Sequence, residues 1–132
     1  RVNSRTPGRE ENRRIYGWGQ STPREIAGVM EKIVRGEIYS KASSDKMLRL
    51  LGRQYWDGQA LSQIPAGVFA ADKTGAVDAS RNEVLYVNGK KTPYVFSIFT
   101  KNNKDQSWRE NNEAWIMTKK ISAILWKYYN GK

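Results

Sequence analysis

The chain has 132 residues with a formal charge of +10, no cysteine and no histidine. That length suits one domain with a modest core, and the composition excludes disulfides, thiolate metal sites and imidazole acid–base chemistry. Acid–base work must fall to Lys, Glu, Asp or Tyr, and the positive field favours anionic partners: nucleic acid, anionic lipid or a carboxylate-bearing small molecule.

Residues 1–20 read as an irregular, Arg-rich, Ω-loop-like segment in which Arg1, Arg5, Arg9, Arg13 and Arg14 alternate with Pro7, Gly8, Gly17 and Gly19. Tyr16 and Trp18 are expected to pack it down. The segment 21–63 is expected to be helical. Thr22, Pro23 and Glu25 form a helix start with capping-box spacing, Ile26, Val29, Met30 and Ile33 follow on one face, and Gly36 ends the run. A second, shorter helix is predicted from about Ser44 to Gln54, burying Met47, Leu48 and Leu51.

The segment 64–132 changes character. Val68 to Ala71 reads as a buried strand leading into Asp72-Lys73-Thr74-Gly75, and 84–87 and 94–100 are rich in β-branched and aromatic residues. Asn88-Gly89 is a hairpin signal between the last two runs, although the residues between them also allow a longer loop. A long terminal helix is expected to bury the stripe Ala114, Met117, Ile121, Ile124 and Tyr128. The predicted class is α+β, with three antiparallel strands packed with helices. No apolar run approaches the length of a membrane span.

Lys73-Thr74-Gly75 is the stretch with chemical content. At a strand end it would offer a compact positive charge, a hydroxyl donor and a backbone that no side chain screens, which suits a carboxylate on a peptide-like ligand. On the tripeptide alone an ordinary strand end is the plainer reading, and only its context argues for a site.

The surrounding residues resemble the class A serine β-lactamases and penicillin-recognising hydrolases over nearly the whole length. The resemblance rests on Ser21-Thr22-Pro23-Arg24-Glu25, Arg35-Gly36-Glu37, Ser43-Ser44 before Met47-Leu48, and Ile64-Pro65-Ala66-Gly67-Val68. It continues through Ala71-Asp72-Lys73-Thr74-Gly75-Ala76, Ser80-Arg81-Asn82-Glu83 and Pro93-Tyr94-Val95. It implies the C-terminal half of that fold, with the strands as part of a five-stranded sheet. Lys73 would hold the substrate carboxylate, Thr74 and Gly75 would bind beside it, and the Ala76 N–H would be half of an oxyanion hole. Arg81 would be a second carboxylate-binding cation; its plain alternative is a solvated arginine at a strand start. The resemblance implies no cofactor or metal, a β-lactam or other small carboxylate as ligand, no membrane, and a periplasmic or secreted setting.

The nucleophile motif S-x-x-K and the S-D-N of this family are expected upstream. The one S-x-x-K present, Ser43 to Lys46, falls at a predicted helix start, where capping explains its serines. Glu10 and Glu11 lie where the family carries a deacylation glutamate, but the leucine is absent, and they read more readily as exposed charges paired with Arg9, Arg13 or Arg14. The chain opens on Arg1, and the N-terminal half of the fold is expected as another chain, a cleaved partner or, failing that, replaced by self-association. Two alternatives stand beside this. One is a nucleic-acid module using the charge and Trp18, Trp56, Trp108, Trp115 and Trp126, which carries no recognition signature. The other is a non-catalytic partner chain of the same fold.

Overall fold

The computed structural model describes residues 1–52 and 54–131. Its elements are α1 (Glu10–Tyr16), α2 (Pro23–Arg35), α3 (Lys41–Leu51), a 3₁₀ turn (Leu61–Gln63), β1 (Ala70–Val77), β2 (Ser80–Val87), β3 (Tyr94–Thr100) and α4 (Glu113–Asn130). The sheet is antiparallel throughout, in the order β1-β2-β3, so β1 and β3 are its two edges.

Strand alternation divides the side chains between two layers. Ala70, Asp72, Thr74 and Ala76 share a face with Arg81, Glu83, Leu85 and Val87, their neighbours across the β1–β2 ladder. The 3₁₀ turn and α4 cover this face, and Ala60, Ala70, Leu85 and Val87 form its buried cluster with Ile64, Phe96 and Trp126 around it. The opposite face, with Ala71, Val84 and Tyr86, lies under α2 and α3. All seven residues of β3 are only half-buried.

Thr22 starts α2 as expected: its side chain accepts the Glu25 N–H while the Glu25 carboxylate accepts the Thr22 N–H. Gly36 ends the helix in a left-handed conformation, φ 78°, that costs glycine nothing. The second helix begins earlier than predicted because Ser40, not Ser44, is its cap. Ser44 is buried instead, donating to the Ile38 carbonyl and accepting the Ile38 N–H. Residue 53, inside the expected span of this helix, lies outside the described residues.

Two expectations need correcting. Residues 1–20 are not without regular structure: α1 sits in a loop closed by a Val2–Gly19 bridge. Asn3, fully buried, organises it by donating to the Gly17 carbonyl and accepting from Arg9. Tyr16 and Trp18 are exposed and do not pack it down. In α4 the predicted stripe is only partly inward: Ala114 is buried and Ile121 half-buried, but its other members are not. The helix buries Ala114, Thr118 and Ser122, while Met117, Ile124 and Tyr128 face outwards. Small residues win the inner face because α4 approaches closely, and the Ser122 Oγ donates to the Ala60 carbonyl at 2.8 Å.

Candidate functional site

Lys73, Thr74 and Gly75 lie within β1 rather than at its end, because the strand runs on to Val77. A two-residue hairpin at Asp78-Ala79, with Asp78 at φ 39°, then returns the chain into β2. β1 is an edge strand, so the motif runs along a border of the sheet with no strand paired on its outer side among the described residues.

Lys73 is exposed, and its Nζ donates to the Thr74 carbonyl at 2.7 Å. Thr74 is half-buried on the other face and lies across the ladder from Glu83. Ala76 is paired with Arg81. A Cβ added at Gly75 would meet no atom within 4 Å, so the protein's own packing does not require glycine there.

Arg81 shares the face of Thr74 and Ala76 but is only 2% exposed. Its Nη1 donates to the carbonyls of Asp78 and Ser80 at 2.7 and 2.8 Å, and its Nη2 to those of Gln106 and Ser107 at 3.1 and 3.0 Å. The guanidinium also lies 4.7 Å over the Trp108 ring and 5.2 Å over that of Trp115. The solvated-arginine reading is therefore excluded. Contact with a ligand through these N–H groups would require breaking bonds that tie the 105–108 loop to the β1–β2 turn. The sequence signal for this packing is the pair Trp108 and Trp115, which the nucleic-acid alternative would instead use for stacking.

Glu11 is held by Arg14 in an exposed ion pair at 2.6 Å, which keeps its carboxyl below the usual range. The Glu10 carboxylate accepts the Gly8 N–H and, with Asn3, Arg5, Thr6, Pro7 and Arg13, lines a cavity of about 300 Å³. No residue of α1 is buried. Ser43 is part of the α3 cap: its N–H and its hydroxyl both meet the Ser40 Oγ. A broader groove of about 770 Å³ lies between α2 and β3, lined by Arg24, Glu31, Arg35, Tyr86 and Tyr94 among others. Neither cavity includes Lys73, Thr74, Gly75, Ala76 or Arg81. The chemistry predicted from the sequence sits on an open edge, and these hollows are elsewhere.

Two residues that were read only as part of a motif prove unusual. Asp72 is 0% and Glu83 3% exposed. Burial pushes the Asp72 carboxyl up to about 6, against the pull of Lys73 and with a further push from Asp57. Burial likewise pushes Glu83 up to about 7, opposed by the Ala60 and Leu61 amides and reinforced by Asp72. Strand alternation was the signal that could have found them, since both occupy inward positions.

An α/β/α layer arrangement with a lysine-bearing edge strand and a long terminal helix defines the class: a serine-β-lactamase-like fold. The model of the beta-lactamase enzyme family matches residues 2–129, and the chain belongs to that family. Among solved structures it is similar to PBP-A, with a TM-score of 0.73 and 21% identity over 94% of this chain and 44% of that one. A mutant of PBP-A solved as an acyl-enzyme complex with penicillin G gives the same figures. A β-lactamase from Sphaerobacter thermophilus DSM 20745 matches with a TM-score of 0.71 and 21% identity, over 83% of this chain and 40% of that one. The extended-spectrum β-lactamase TLA-1 matches with a TM-score of 0.71 and 19% identity, over 90% and 46%. The chain thus spans less than half the length of these structures. A search of curated protein sequences returns no match. Among the described residues, no helix is long and apolar enough to cross a membrane.

Proposed function

We propose that this segment forms the substrate-clamping half of a serine acyl hydrolase acting on β-lactams or peptide-like carboxylates. Lys73 supplies the charge that holds the substrate carboxylate, Thr74 a hydroxyl donor to it, and the Ala76 N–H one oxyanion donor. The serine and its base come from the rest of the fold, as does the second oxyanion donor. The observation that carries the reading is the placement of Lys73-Thr74-Gly75 on an unpaired edge strand, with open space at Gly75. An extended ligand can lie along such an edge and bond to its main chain. Arg81 enters through the loop it holds, which shapes the end of β1, rather than as an open cation. Export to the periplasm or beyond, usual for the family, accords with this role.

The missing partner is the remainder of the same fold, on this polypeptide or another. Two surfaces suit it: the free edge of β3 and the outward apolar stripe of α4, where Ile124 is 66% and Tyr128 79% exposed. An unpaired strand beside an apolar helix face is a liability unless covered. Coverage of 40–46% of the similar chains leaves ample structure to do so.

The deciding experiment is covalent labelling of the complete protein by a fluorescent penicillin. Lys73→Ala is expected to slow acylation by about 100-fold or more, the scale of losing a charged transition-state contact. An unchanged rate would remove Lys73 from the site.

A further inference from the structure

Asp72 and Glu83 lie two residues out of register on the same face of the β1–β2 ladder, Asp72 opposite Leu85 and Glu83 opposite Thr74. Diagonal neighbours of this kind are within reach of a long side chain. Neither carboxylate oxygen of Asp72 has a hydrogen-bond partner among the described residues, nor has the Glu83 Oε1. The Glu83 Oε2 accepts the Ala60 N–H at 3.0 Å. Neither acid is among the ion pairs of the described residues, all of which are on the surface.

The groups around the pair offer no counter-charge that would settle it. Lys73 follows Asp72 but points to the other face, and Asp57 adds a like charge. From α4 the inward residues are Ala114, Thr118 and Ser122, none titratable, and from β3 the residue across from Glu83 is Ile98. Arg81, two residues before Glu83, spends its Nη groups on carbonyls. Two ionised carboxylates here would be buried, adjacent and nearly without donors, an arrangement too costly to persist. One proton removes most of the cost, because a neutral carboxyl becomes a donor to its orphaned neighbour.

We propose that Asp72 and Glu83 together hold one proton at neutral pH and act as a positioning pair for Lys73 and Thr74. The placement makes the coupling direct. Asp72 precedes Lys73 in the chain, and Glu83 faces Thr74 across the ladder. Glu83 is also tied through Ala60 to Ser122 of α4, so the pair anchors β1 and β2 to the layer beneath. Loss of the shared proton sets two like charges against each other directly under the clamp and forces the strands to adjust. The burial of both acids is consistent with titration of the pair close to neutrality. What the positioning serves rests on the functional reading above; the shared proton does not.

The test is a carboxyl ¹³C NMR titration of the complete protein labelled in Asp and Glu, with amide resonances of Lys73 and Thr74 followed in parallel. The expected result is one carboxyl of the pair titrating near 7, with both amides moving at the same midpoint. Glu83→Gln should abolish that midpoint in all signals, and Asp72→Asn, as a second variant, should lower the midpoint of Glu83. Titration of both acids in the ordinary carboxylate range, below about pH 5, would overturn the shared proton. Amides that ignore the pair's midpoint would overturn the positioning role. Neither outcome depends on whether the protein reacts with a penicillin.

Discussion

The Arg81 guanidinium stacks over the Trp108 ring at 4.7 Å while donating to four main-chain carbonyls, two in its own turn and two in the loop before α4. No carboxylate lies within ion-pair distance of it among the described residues. The charge is instead compensated by carbonyl dipoles and two indole faces, a task suited to a planar, weakly hydrated fork.

Arg81→Ala should therefore destabilise the protein by about 3 kcal/mol or more, since it strands buried carbonyls and empties a packed site. Arg81→Lys should recover only part of that, because an ammonium cannot bridge both pairs of carbonyls. Urea unfolding of the complete protein measures both. A loss within about 0.5 kcal/mol for the alanine variant would mean the clamp is dispensable.

Ser122 offers a smaller version of the same logic. Its Oγ satisfies the Ala60 carbonyl, and Ala60 in turn donates its N–H to Glu83. Ser122→Ala leaves that carbonyl buried and unpaired, at a cost of about 1–2 kcal/mol. Ser122→Leu should cost more, by forcing bulk between α4 and the 3₁₀ turn. Chemical denaturation midpoints at constant m-value distinguish these from changes in the unfolded state.

The buried acids also set the sign of the stability profile. Their folded pKa values of about 6 and 7 lie well above the ordinary carboxylate range. The folded protein thus binds more protons than the unfolded chain between about pH 4 and 7, and stability falls as pH rises through that window. The pair's contribution is complete below the unfolded values and gone above the folded ones. The Tm should drop between about pH 5.5 and 8, and Glu83→Gln should flatten the drop. Acids with lowered pKa, such as Asp105 and Glu25, stay ionised throughout that range and do not mask it.

The outer stripe of α4 yields a test of what covers it. If the rest of the fold packs there, Ile124→Glu in the complete protein buries an unpaired charge and should cost more than about 2 kcal/mol. A surface position would tolerate the change within about 0.5 kcal/mol. Thermal unfolding of this single variant decides between a covered and a solvated helix face.

Much of the fold was legible in local chemistry. The Thr22–Glu25 capping box, the Gly36 stop and the β-rich runs act through neighbours in the chain, so residue type and spacing suffice to read them. The same holds for Lys73-Thr74-Gly75 as a strand motif, whose residue types are informative without any partner. Other features depend on what packs against what. Periodicity shows that α4 has an apolar stripe but not which face meets the sheet, and the close approach of the 3₁₀ turn selected Thr118 and Ser122 over Met117 and Ile124. Arg81 and Glu83 look like surface charges in the sequence. Only the ladder register and the layer above them, with Trp108, Trp115 and Ala60, take them out of water and make one a structural clamp and the other a proton holder. Desolvation depends on atoms contributed from many positions along the chain, so it arises only when tertiary structure assembles them.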